Sequence, residues 1–418
     1  MHLVIVTTEL ATSTHSSGGL ASFSANLARI FHQNGHEVTI ILVTTKKEQL
    51  DFDQGISLEN VYVKKALWDK FDAMAQIISS LMDGNRDQIR RLIVNIYKSD
   101  QINELVTEIN REKKIDIIHV CNLSSLSVKL DSSIPYAVRM SCIEYIWDDA
   151  DIPDTCINYE KNFLSIKNRL QNYMLKQTKY IISPSNLVAK GVKEITGIES
   201  TVIESPFVMN KSKWDYSVYQ KFCIGKRYII HYGTLSYRKG THIVAQIIKP
   251  FLKRYSDITM ILAGNSTEMI DASGRKIQAH ELVKRGAEEC ADRVIYTGRL
   301  VREQLYPLIS DAALCLLPSR VENLPNTCIE AMALGKIVIG TDGASFEQLI
   351  EDRVSGFLCE KDNSESVLLA IYEALDMSEK DRSRMVAKAT ERIKELAPDK
   401  IYSKYLAFYQ KVIQEWEN

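Results

Sequence analysis

The chain has 418 residues, a formal net charge of -1, 45% hydrophobic residues and 25% charged residues. That length exceeds one ordinary hydrophobic core, so two domains are expected. The balanced charge leaves no broad basic footprint for nucleic acid, and no run approaches the roughly 18 apolar residues of a membrane span.

The opening run LVIVTTE reads as a first strand. It has no basic flank and no cleavage-type segment, so it is not read as a signal peptide, and the protein is expected in the cytoplasm. The segment SSGGLASFSANLARIFHQNGHEVTIILVT follows. Its Leu20, Phe23, Leu27 and Ile30 recur at helical spacing, Gly35 ends that helix, and EVTIILV is the next strand. Strand, Gly-rich turn, helix and strand make a βαβ unit with a parallel sheet. Residues 64–114 read as helical, with Ile89, Leu92, Ile93 and Ile96 on one apolar face. That face reads as core; Lys64, Lys65 and Lys70 leave open a peripheral contact with a membrane, diluted by Asp69 and Asp72. Further strands are IDIIHVC, YAVRMSC, YIISPS and TVIES. A second set runs through YIIHYGTL, ITMILAGN, RVIYTGRL, AALCLLP and KIVIGTD, with helical segments between. The last segment, from Asp399, is amphipathic and helical.

The expected fold is therefore α/β, with two Rossmann-like, doubly wound parallel-sheet domains over 1–206 and 207–398 and the boundary near Pro206 to Trp214. The eight cysteines form no CxxC or CxxxC pair, and several, such as Cys315 and Cys328, sit in apolar runs. They read as buried free thiols in a reducing compartment, not as disulfides or a zinc site.

In open α/β sheets ligands bind at the carboxyl ends of the strands, so the turns after strands are where to look. Two such domains facing each other would form one central cleft. After AALCLLP comes ENLPNTCIE, which places Glu322 in a loop and Glu330 in the first turns of a helix over 327–334, with Asn326 as N-cap and Gly335 as stop. The first N–H groups of that helix could hold a diphosphate, Glu330 a sugar diol and Glu322 a second polyhydroxylated group. The plainer reading is a dipole-matching glutamate and a solvated loop charge. HYGTLSYRKG ends in Arg238-Lys239-Gly240, which alone also reads as a solvated turn. Gly18 and Gly19 make a turn but not a GxGxxG fingerprint. Asp149 and Asp151 form an Asp-x-Asp that reads as an acidic loop rather than a metal site, and His119 reads as a core histidine.

The stretch ENLPNTCIEAMALGKIVIGTDGASFEQLIEDRVSGFL resembles the retaining glycosyltransferases of the GT-B fold, family 4, with their Glu-x7-Glu signature at Glu322 and Glu330 and the EAMALG end. The resemblance is strong over 228–358 and weaker before it. It implies that Glu330 binds the nucleotide ribose, Glu322 contacts the donor sugar, and the backbone at Asn323, Leu324, Pro325, Asn326 and Thr327 holds sugar and phosphates. It makes Lys239 a catalytic cation on the diphosphate. Thr234 stands where the family has Arg, and Arg238 is expected to supply the second cation. Gly18 and Gly19 would admit the donor phosphate or the acceptor. Gly264, Arg299 and Leu300 would frame the base. Ser141 occupies the place of a family histidine, with Arg139 and Glu144 as acceptor-side candidates. The final helix would pack back on the first domain. No metal or other cofactor is expected, because amides and cations serve the diphosphate.

The reading is a glycosyltransferase that moves a hexosyl group from a nucleotide-sugar to a hydroxyl of a sugar, glycan or lipid-linked acceptor, with retention, in polysaccharide or glycolipid synthesis. A nucleotide-sugar epimerase on the same fold, or a non-catalytic nucleotide-sugar binder, are the alternatives.

Overall fold

The computed structural model describes residues 1–12, 18–47, 51–81, 85–143, 166–209, 213–271 and 273–417. It divides into two compact units. Described residues up to Pro206, together with those from Ala397 onward, form the first; Phe207–Leu396 form the second.

In the first unit the strands are β1 (His2–Thr7), β2 (Glu37–Val43), β3 (Ser57–Val61), β4 (Ile117–Cys121), β5 (Tyr136–Arg139), β6 (Ile181–Ser183) and β7 (Thr201–Val202). Among the described residues they lie in the order β3-β2-β1-β4-β5-β6-β7, and every pair is parallel. In the second unit β8 (Arg227–Tyr232), β9 (Ile258–Ala263), β12 (Val294–Gly298), β13 (Cys315–Leu316), β14 (Val338–Thr341) and β15 (Phe357–Cys359) form a parallel sheet ordered β12-β9-β8-β13-β14-β15. Between them β10 (Glu268–Ile270) and β11 (Lys276–Gln278) pair as an antiparallel hairpin. Sheets covered on both faces bury their strands, which is why LVIV, TIILV and ITMILA read as nearly continuous apolar runs, broken only by Thr39 and Thr259. The second unit's core gathers Ile229, Met260, Leu262, Leu316, Ile339 and Phe357 from its strands.

The two-sheet α/β architecture is the one the sequence led us to expect. The stretch 64–114 is not one helix: it holds helices Lys65–Leu81 and Arg86–Glu112. Its apolar face is also rotated from the expected one. The second helix buries Ile89, Val94, Ile102 and Val106, while Ile96 is exposed and Leu92 and Ile93 are half-buried. The first helix buries only Ala75 and leaves Met74, Ile77 and Leu81 in solvent. The two helices meet instead through half-buried side chains, including the Phe71 and Tyr97 rings at 5.2 Å. Among the described residues no helix is long and apolar enough to cross a membrane. The described cysteines are free and buried.

The final helix, Pro398–Trp416, belongs to the first unit. Pro398 opens it, a position where the missing N–H costs nothing. Its Tyr409 hydroxyl lies 2.7 Å from His119 Nδ1, and its Trp416 indole donates to the Ser132 carbonyl at 2.8 Å. Burial lowers the His119 pKa to about 3, so this strand histidine is a neutral core residue.

In the second unit the strand ends are stitched by close backbone approaches. Gly264 N–H donates to Gly298 O at 2.8 Å, and a Cβ on Gly264 would stand 1.7 Å from Gly233 O. Gly240 has φ +71°, and a Cβ there would stand 1.8 Å from Pro318 O. Gly197, which stops helix Asn186–Thr196, has φ +74° with nothing within 4 Å of its Cβ position. The two positions thus share the left-handed strain and differ in the contact. Gly197→Ala is expected to cost about 1 kcal/mol; Gly240→Ala adds backbone overlap and is expected to cost more than about 3 kcal/mol. Urea unfolding of the two variants checks this, and equal losses contradict it.

Candidate functional site

The second sheet reverses its strand order between β8 and β13, which are neighbours through Ile230 and Cys315. At such a switch point the following loops leave in opposite directions and open a crevice at the carboxyl edge. The loop after β8 carries Gly233 to Gly240. The loop after β13 carries Pro318 to Pro325 and runs into helix Asn326–Ala333.

Several contacts fix these loops. His231, on β8, faces the Leu316 carbonyl through Nδ1 at 2.8 Å and Thr241 Oγ1 through Nε2 at 3.1 Å. A carbonyl only accepts, so Nδ1 carries the proton and Nε2 accepts from the hydroxyl. Burial lowers this histidine's pKa to about 4, which keeps it neutral. The Arg320 N–H donates to the Arg238 carbonyl at 2.7 Å, tying one loop to the other. The Tyr232 hydroxyl donates to the Thr327 carbonyl and anchors the start of the helix.

The structure brings Lys239 and Glu322 together as an ion pair between Nζ and Oε1. Glu322 is buried, and its carbonyl accepts from Ser345 Oγ at 2.8 Å. Glu330, also buried, takes Arg302 Nε at 3.2 Å and the Tyr306 hydroxyl at 3.2 Å on the same oxygen. Burial raises the Glu330 pKa, with Arg302, Tyr306 and the more distant charge of Lys239 pulling the other way. Asn323, Asn326 and Thr327 are half-buried, and Leu324 and Pro325 are buried. Thr234 and Arg238 are half-buried in the β8 loop, Arg299 is exposed after β12, and Leu300 is half-buried.

Asn326 is not the N-cap. Pro325 holds that place with φ -74° and ψ 95°, and the helix starts at Asn326, one residue earlier than the sequence suggested. Proline's ring presets φ and offers no capping oxygen, so the first-turn N–H groups receive no cap from the N-cap side chain. Gly335, with φ +71°, follows the helix end as expected.

In the first unit Gly18 has φ +60° and directly precedes helix Gly19–Gln33. The Glu9 carboxylate lies against it, 2.9 Å from where a Cβ would be, and accepts from the Ala21 N–H. Burial raises the Glu9 pKa. Arg139 is buried, with its guanidinium 3.6 Å from the Phe23 ring centroid and donating to Ser205 Oγ at 2.9 Å. The Ser141 N–H donates to Asn122 Oδ1 at 2.6 Å. Glu144, Asp149 and Asp151 lie outside the described residues. Among the described residues no group of three His, Cys, Asp or Glu could hold a metal.

Sequence reasoning missed Arg302, Tyr306, Ser345 and Glu9. A signal existed for the first two: they stand at i and i+4 in REQLY, on one helix face. Ser345 and Glu9 reach their partners only through the fold.

The raised Glu330 value sets a pH test. A folded-state pKa above the unfolded one contributes stability below the unfolded value, and that contribution is lost as pH rises through the folded value. Glu330→Gln does not titrate, so its Tm should gain on wild type as pH rises above the ordinary carboxylate range. A flat or falling difference in thermal melts contradicts the assignment.

Residues 219–392 match the family model described as Glycosyl transferases group 1. Over 163 residues the chain is 26% identical to the lipopolysaccharide 1,2-N-acetylglucosaminetransferase of Salmonella typhimurium; the match covers 38% of this chain and 42% of that protein, less than half of the relative's length. In fold it is similar to sucrose-phosphate synthase from Thermosynechococcus elongatus, with a TM-score of 0.70 and 14% identity over 99% of both chains. It is also similar to Anabaena HepE in complex with UDP and glucose, with a TM-score of 0.63 and 14% identity over 97% of this chain and 98% of that one. The family match lies within the second unit, and the two Rossmann-like sheets are those of the GT-B fold.

Proposed function

We propose that the protein transfers a hexosyl group from a nucleotide-sugar to an acceptor hydroxyl with retention, in glycoconjugate synthesis. The observation that carries this reading is the meeting of Lys239 and Glu322 at the β8/β13 switch point, followed at once by a helix whose first turn has no side-chain cap and which bears Glu330. A diphosphate has a cation and helix N–H groups there, a ribose diol has the Glu330 carboxylate, and sugar hydroxyls have Glu322. The family match within the second unit and the UDP and glucose held by the HepE neighbour support a nucleotide-sugar as donor.

In the reaction the bond between sugar C1 and the phosphate oxygen breaks, and a bond forms between C1 and the acceptor oxygen on the same face. The acceptor proton passes to the departing phosphate. Lys239 and the helix N–H groups stabilise the charge that grows on that phosphate. The acceptor is a sugar, glycan or lipid-linked hydroxyl recognised by the first unit. No metal is required in this scheme.

Release of nucleoside diphosphate from a panel of nucleotide-sugars, with and without candidate acceptors, tests the reading. Release that needs an acceptor is expected, with Lys239→Met slowing it by about a hundredfold or more, the usual loss on removing one preorganised donor. Acceptor-independent conversion of the donor would indicate an epimerase, and binding of nucleotide-sugar without any turnover would indicate a sensor; either overturns the proposal.

A further inference from the structure

We propose that Glu322 sets the preference of this site for a nucleotide that still carries its sugar over the nucleoside diphosphate left after transfer; the inference rests on the donor-site reading above. Lys239 and Glu322 are paired with each other, and both side chains are largely buried, 17% and 6% exposed. Their backbones are held. The Lys239 N–H donates to Ser236 Oγ at 3.3 Å, and the next residue, Gly240, is packed on the Pro318 carbonyl. The Glu322 carbonyl is held by Ser345, and the two loops are joined between Arg320 and Arg238. What remains free to move is the four-carbon stem of the lysine.

A diphosphate that engages Lys239 must therefore take it from Glu322. A buried carboxylate that loses its counter-charge is strongly disfavoured, because the surroundings cannot replace the lost hydration. Sugar hydroxyls can restore donors to Glu322 as the ammonium leaves it. A nucleoside diphosphate brings no such group to that point. Lys239 attracts both ligands, and Glu322 penalises the one that leaves it unpaired, so selectivity arises from a mismatch with the product. The same competition favours product departure: as the diphosphate loosens, Glu322 recaptures the ammonium.

The test uses the full chain and inorganic pyrophosphate, which probes the cation without a base or sugar, in calorimetric titrations at one pH and one ionic strength. Glu322→Gln is expected to bind pyrophosphate at least about tenfold more tightly than wild type, counting binding that only the variant shows as a gain. The gain should vanish when Lys239→Met is added, since it belongs to the pair. With UDP, ADP and GDP against their glucose-bearing counterparts, the variant should lose at least about tenfold of the wild-type preference for the sugar-bearing form. If Glu322→Gln does not fold, Glu322→Ala reads the same pair. Unchanged or weaker pyrophosphate binding by a folded variant overturns the proposal, as does a gain that persists without Lys239. Failure of the parent reading looks different: wild type would bind neither nucleoside diphosphates nor nucleotide-sugars, whatever pyrophosphate does.

Discussion

In a parallel sheet every strand delivers its chain to the same edge, and a crevice opens only where consecutive connections leave in opposite directions. In the second unit that place is the boundary of β8 and β13. The rest of the site follows from it. The loop after β8 must turn sharply to enter helix Thr241–Arg254, which puts Gly240 against Pro318 and Lys239 at the edge. The loop after β13 must do the same into helix Asn326–Ala333, which puts Glu322 before the turn and Glu330 after it.

Electrostatics then divides the two glutamates. Glu322 has an ammonium partner in the same crevice, whereas Glu330 shares its oxygen between a guanidinium that is 40% exposed and a tyrosine hydroxyl. Burial raises the Glu330 pKa, and the half-solvated Arg302 guanidinium and the Tyr306 hydroxyl offset it only in part. The two carboxylates are eight positions apart in sequence but have different direct partners. One can exchange its lysine for hydroxyl donors, and the other is already oriented by a helix face on which Arg302 and Tyr306 repeat. In the first unit, the Glu9 carboxylate lies at the start of helix Gly19–Gln33 and accepts from the Ala21 N–H.

Much of this was legible in the sequence. The apolar runs announced both parallel sheets, because strands covered on both faces have no polar side to show. The spacing from Glu322 to Glu330 and the stop at Gly335 placed the helix after β13 within one residue, and the lone His119 in an apolar run was a core residue as its setting suggested. What escaped had physical reasons. The short edge strand β3 is partly exposed and carries Glu59 and Asn60, so it lacks an apolar run. The β10–β11 hairpin has only three residues in each strand. The pairing of Lys239 with Glu322 joins positions 83 residues apart, and no local pattern records such a meeting. Helix Lys65–Leu81 shows the opposite failure: it lies in the stretch whose apolar face read as core, yet it buries only Ala75.

The central claim is that a nucleotide-sugar sits at the carboxyl edge of the second sheet, between the β8 loop and the helix after β13. A crystal structure of the full chain with its preferred nucleotide-sugar tests this most directly. The account predicts the diphosphate against Lys239 and the first N–H groups of helix Asn326–Ala333, with the ribose diol on Glu330 and sugar hydroxyls on Glu322. A nucleotide bound anywhere else, or one that leaves the Lys239–Glu322 pair intact, would contradict it.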